Sequence, residues 1–95
     1  MSFKTNEYFD GNVASIAFQT ETLPATVGVM EIGEYTFNTG AKEYMTVVSG
    51  SLTIKLAGSD DWVTYNAGET FPVEANSSFD VQVTVQTAYL CLYEK

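Results

Sequence analysis

Histidine is the usual carrier of proton transfer and metal binding in proteins, and none occurs among the 95 residues of this chain. No Ser-His-Asp triad, Cys-His nucleophile pair or imidazole-ligated metal site can be built from it. The single cysteine, Cys91, excludes an intrachain disulfide framework and a thiolate zinc cluster. Set in an apolar closing segment, it reads as an inert small hydrophobe. Chemistry is left to carboxylates, to tyrosine and threonine hydroxyls, to aromatic faces and to four lysines, with no arginine. A carboxylate in apolar surroundings can act as an acid, a base or an electrostatic partner.

These groups must be positioned by strands. Alternation with period two runs through almost the whole chain. It marks Ala25 to Ile32, then Glu34 to Thr39 after Gly33. Glu43 to Val48 and Ser51 to Leu56 read as strands joined by a tight hairpin turn at Ser49-Gly50. Trp62 to Tyr65 and Thr70 to Val73 follow polar turns. Phe79, Val81, Val83 and Val85 share one face of the next segment, and Tyr89, Cys91 and Tyr93 share one side of the last. No stretch carries a helical stripe, and turn signals recur at the spacing of a sandwich or small barrel. Gly28, Gly33, Gly50 and Gly68 suit turns or close backbone approach, and no Gly-rich phosphate loop is present. Trp62 is expected to anchor the core or a dimer contact.

At 45% hydrophobic and 14% aromatic residues, the chain fits one domain over residues 1–95, with a barrel from about 12 to 93 and an aromatic amino-terminal arm over 1–11. The arm is expected to pair at a sheet edge or across a dimer. Twelve acidic side chains against four lysines give a net charge of -8, which argues against nucleic-acid and acidic-membrane partners. The first residues lack an apolar signal-peptide core, and no run approaches the ~18 apolar residues of a membrane span, so a cytoplasmic location is expected.

Glu43 is followed after six residues by Gly50, a spacing that resembles the first motif of the cupin superfamily, a double-stranded β-helix or jelly-roll barrel. Gly68 matches the start of the second motif. The histidines of the cupin pattern would fall at Phe37, Thr39 and Phe79, so three of the four usual metal ligands are replaced. More specifically, the chain resembles the small bacterial pyrimidine/purine nucleoside phosphorylases. The matching stretches are Asn6-x-Tyr8-Phe9-x-Gly11, Val27-Gly28-Val29-Met30 and Gly33-Glu34-Tyr35-Thr36-Phe37, then Glu43-x-Met45-Thr46-Val47-x-x-Gly50-x-Leu52. They continue with Trp62-x-x-Tyr65-x-x-Gly68-x-x-Phe71-x-Val73, Ser78-Phe79-x-x-Gln82-Val83 and Tyr89-Leu90-Cys91-x-Tyr93, nearly the whole chain in order.

The resemblance implies phosphorolysis of diverse purine and pyrimidine nucleosides to free base and α-D-ribose 1-phosphate, without a metal or other cofactor and with phosphate as co-substrate. Such a reaction passes through a transition state of oxocarbenium character. Glu43 is the expected catalytic residue, aimed into the barrel among Phe37, Met45 and Phe79. It could hold the ribose hydroxyls, stabilise the developing cation or donate a proton; the structural alternative is a buried glutamate satisfied by backbone donors or tyrosine hydroxyls. Tyr35, Phe37, Thr39, Met45, Phe79 and Tyr89 are the expected substrate contacts, and an aromatic wall including Tyr93 would stack any base. Lys42, Lys55, Thr39, Thr46, Ser49 and backbone N–H groups are the candidates for phosphate, hydroxyls and backbone before lysine. A homodimer is expected, because so small and aromatic a barrel leaves apolar surface for a symmetric partner. The alternatives are a non-catalytic cupin that senses a sugar or nucleoside, and a purely structural module.

Overall fold

The structure, a computed structural model, describes residues 3–94. Its regular elements are ten strands: β1 (Thr5–Tyr8), β2 (Val13–Gln19), β3 (Pro24–Met30), β4 (Gly33–Asn38), β5 (Glu43–Ser49), β6 (Ser51–Leu56), β7 (Val63–Asn66), β8 (Thr70–Val73), β9 (Ser78–Val83) and β10 (Thr87–Tyr93). They form a six-stranded sheet, in the order β1-β2-β3-β10-β5-β8, and a four-stranded sheet, in the order β4-β9-β6-β7. Every pairing within them is antiparallel. The all-β architecture expected from the alternation is what the chain adopts.

Alternation explains the core. Phe79, Val81 and Val83 of β9, Leu52 and Ile54 of β6, Phe71 and Val73 of β8, and Met45 and Val47 of β5 all point inward and are buried. They join Val13, Met30, Tyr35, Tyr89 and Cys91 in one cluster between the sheets. Each large side chain removed from water there stabilises the fold by ~1.5–3 kcal/mol.

Where the chain departs from expectation, the cause is local. Ser49-Gly50 does not close a hairpin: β5 pairs with β10 and β8, whereas β6 pairs with β7 and β9, so the chain crosses between sheets at this point. Gly50 has φ +91°, and a Cβ there would lie 2.5 Å from Thr87 Oγ1 and 2.9 Å from the Gln86 carbonyl oxygen. The buried Thr87 hydroxyl accepts from the Ser51 N–H at 3.2 Å and has the Val85 carbonyl at 2.8 Å as its acceptor. That side chain supplies the hydrogen bonds a hairpin ladder would have made. Strand β9 ends at Val83, and Val85 lies in the bend beyond it, exposed rather than on the buried face. Trp62 is no core anchor; it is 42% exposed in a surface depression beside Glu34, Thr36 and Asp80. The amino-terminal arm supplies β1, which pairs at the sheet edge with β2, a strand the alternation does not mark.

Candidate active site

A cavity of about 240 Å³ lies between the sheets, a little under the ~300–1,000 Å³ of drug-sized ligand sites. Tyr8 enters it from β1, Ser15 from β2 and Met30 from β3. Tyr89, Cys91 and Tyr93 come from β10, and Glu43 and Met45 from β5; Phe37 and Asn38 of β4 and Phe79 of β9 close it from the other sheet. Register brings distant residues together: Tyr93 pairs with Glu43 and Cys91 with Met45, while Phe37 pairs with Phe79. The period-two pleat then turns Glu43, Met45, Tyr89, Cys91 and Tyr93 to the same face.

Glu43 is half-buried and, among the described residues, is the only carboxylate in the lining. Cys91 Sγ donates to its Oε1 at 3.3 Å, and no other side chain among the described residues bonds it. Burial raises the Glu43 carboxyl above its ordinary value, and the thiol hydrogen bond pulls the other way. Burial likewise pushes the Tyr89 phenol up to about 12, against the Ser15 hydroxyl beside it. Cys91 and Tyr93 are raised still further by burial; the Glu43 charge adds to it, and for Tyr93 the hydroxyl of Thr26 at 2.9 Å opposes. The cavity thus holds one carboxylate among groups that keep their protons at neutral pH. The Tyr89 ring needs a gap in β3: a Cβ on Gly28 would lie 2.8 Å from its hydroxyl oxygen.

Of the expected substrate contacts, the structure gathers Phe37, Met45, Phe79 and Tyr89 around Glu43. Phe37 and Phe79 lie ring on ring, with centroids 5.4 Å apart at 26°. Tyr35 and Thr39 stand outside the lining. The Tyr35 hydroxyl donates to the Glu31 carbonyl at 2.6 Å, and the Thr39 hydroxyl donates to the Glu74 carbonyl at 2.6 Å while accepting from the Ser77 N–H at 3.0 Å. The phosphate candidates also lie elsewhere. Lys42 pairs with Glu74 at 3.7 Å, Thr46 bonds Thr70 at 2.7 Å, and Lys55 and Ser49 border separate depressions. Sequence reasoning did not place Tyr8, Ser15, Met30 or Asn38 in the site; they enter through strand pairing, which spacing along the chain does not reveal. Cys91 is also more than a hydrophobe, being the hydrogen-bond partner of Glu43.

A resident transition metal does not fit this donor set. The lining offers one carboxylate, one thiol whose proton is held tightly, tyrosine hydroxyls and no imidazole, and no group of three or more His, Cys, Asp or Glu side chains comes together among the described residues.

The sequence matches the family model for pyrimidine/purine nucleoside phosphorylase over residues 3–93. A pyrimidine/purine nucleoside phosphorylase of Psychromonas ingrahamii is 73% identical over 94 residues, covering 99% of this chain and all of the relative. One of Alcanivorax borkumensis is 65% identical, covering 96% of this chain and 97% of the relative. Among solved structures, a protein of unknown function from Vibrio parahaemolyticus superposes with a TM-score of 0.94 at 53% identity, covering 99% of this chain and 100% of that one. An RmlC-like cupin from Shewanella frigidimarina superposes with a TM-score of 0.75 at 16% identity, over 96% of this chain and 82% of that one, which shows the cupin fold.

Proposed function

The chain belongs to the pyrimidine/purine nucleoside phosphorylase family, and from that premise we propose that it is a pentosyltransferase that cleaves diverse purine and pyrimidine nucleosides with phosphate, in the cytoplasm and without a metal or other cofactor. The observation that carries this reading is identity of 73% with a relative of that name over 99% of this chain and all of the relative. In the reaction the glycosidic C1′–N bond breaks and a C1′–O bond to phosphate forms, with inversion to α-D-ribose 1-phosphate. The departing base takes up a proton.

In this reading each step draws on a group of the cavity lining. Phe37 and Phe79 present ring faces on which any base can stack, at ~1–3 kcal/mol per base, with no hydrogen-bond code to restrict which base it is. Glu43, with one oxygen held only by a weak thiol donor, is free to hold ribose hydroxyls and to oppose the positive charge that develops at C1′. Phosphate falls to neutral donors within reach of the cavity, the Ser15 and Tyr8 hydroxyls and the Asn38 amide, since no lysine lines it among the described residues. The proposed enzyme acts as a homodimer. Incubation with uridine, adenosine or guanosine tests the reading: phosphate-dependent release of base together with α-D-ribose 1-phosphate, followed by phosphorus NMR, is expected. Arsenate should replace phosphate without yielding a stable sugar phosphate. No base release from any of them refutes the activity.

A further inference from the structure

The β1–β2 turn is built at a conformational cost. Phe9 and Asp10 are consecutive non-glycine residues with φ of 53° and 58°, followed by Gly11 at 86°. The turn closes through the Gly11 N–H on the Tyr8 carbonyl and the Asn12 N–H on the Phe9 carbonyl, each at 3.1 Å. A left-handed conformation is disfavoured for Phe and persists where its surroundings hold it. Here aromatic rings do so. The Phe9 ring meets Tyr35 at 5.0 Å and meets Phe37 edge to face at 5.5 Å and 84°. Phe37 in turn stacks on Phe79. The same turn carries Tyr8 into the cavity lining, whereas Phe9 itself is not part of that lining and is 42% exposed. Its ring contacts are Tyr35, which stands outside the lining, and Phe37, which belongs to it.

We infer that Phe9 is a positioning residue for nucleobase recognition: from the strained β1–β2 turn it braces Phe37, and through Phe37 the stacked pair with Phe79, at the angle on which a base lies. This rests on the proposed nucleoside reading and adds to it one residue, Phe9, whose ring sets affinity for the base, whereas the proposed phosphate donors Tyr8 and Ser15 are held by the β1–β2 backbone ladder, in which the ring takes no part. An edge-to-face contact fixes ring tilt, and stacking loses strength when the platform rotates.

Phe9→Gly tests this, because glycine accepts the positive φ and removes only the ring. Binding of adenosine and uridine to the native chain and the variant is measured by calorimetry without phosphate, alongside steady-state kinetics. We expect Kd and KM for nucleoside to rise ~tenfold, part of a stacking contribution, with kcat and the KM for phosphate unchanged, and Phe9→Tyr to restore native values. Melting temperature should hold within a few degrees. Equal nucleoside affinity in Phe9→Gly, or a parallel loss for nucleoside and phosphate, overturns the inference alone. Failure of the native chain to bind any nucleoside overturns both the inference and the reading it rests on.

Discussion

At the scale of single residues, the cavity turns on one carboxylate in an environment that disfavours its charge. Glu43 has its carboxyl raised above the ordinary 4.5 by burial, with only the Cys91 thiol to offset it. Between that ordinary value and the raised one, the folded chain holds more protons at Glu43 than the unfolded chain, so this residue's contribution to stability falls as pH rises through the window. Above the window the ionised group is a standing cost. Glu43→Gln should therefore melt no lower than the native chain at neutral pH and should lose less stability between pH 4.5 and 7, as followed by calorimetry. Identical pH profiles in the two proteins would contradict this. Glu43 was legible in the sequence because a fixed spacing to Gly50 marks it. Its partner Cys91 was not, since the pairing arises from β5 lying beside β10, forty-eight positions along the chain.

At the scale of elements, the alternation gives strands β3 to β10 to within a few residues but leaves both β2 and the crossing at Gly50 unread. In β2 the inward positions include Ser15, which serves the cavity, and the outward ones are Ala14, Ile16 and Phe18. The alternation is blurred there because both faces carry apolar residues: Val13 is buried inward beside Ser15, while Ala14, Ile16 and Phe18 make the outer face apolar. The Ser49-Gly50 step reads as a hairpin because a two-residue turn between strands normally is one; the crossing is imposed by the packing of Gly50 on Thr87. Gly50→Ala would need both a strained φ and room that Thr87 Oγ1 and the Gln86 carbonyl occupy. We expect a loss of ~2–3 kcal/mol in urea unfolding; a change under 0.5 kcal/mol would show that the crossing relaxes freely.

At the scale of the whole molecule, the two sheets differ in what they show to solvent. Across β4, β9 and β6 the outer face carries Glu34, Asp80 and Lys55. Across β2, β3, β10 and β5 it carries Ile16, Val27, Leu90 and Thr46 in one row, with Ala14, Val29 and Ala88 in the next. In a chain of net charge -8 this face, with Glu7 of β1 at the end of its second row and no charged side chain across β2, β3, β10 and β5 in either row, is where two copies can approach with least charge repulsion. The amino-terminal arm instead packs on its own barrel, so the proposed dimer is assigned to the sheet face. Val29, 55% exposed at its centre, is the point to test: Val29→Lys should yield a monomer by light scattering at micromolar concentration, and an unchanged native dimer would move the interface elsewhere. The proposed working group of the cavity is Glu43. The turnover of Glu43→Gln tests that most directly, because the substitution keeps shape and most hydrogen bonding and removes only the charge. The expected result is a kcat for phosphate-dependent nucleoside cleavage lowered by roughly 100-fold or more in a protein that melts normally; near-native kcat in that variant would contradict the account and leave the chemistry to the cavity's hydroxyls.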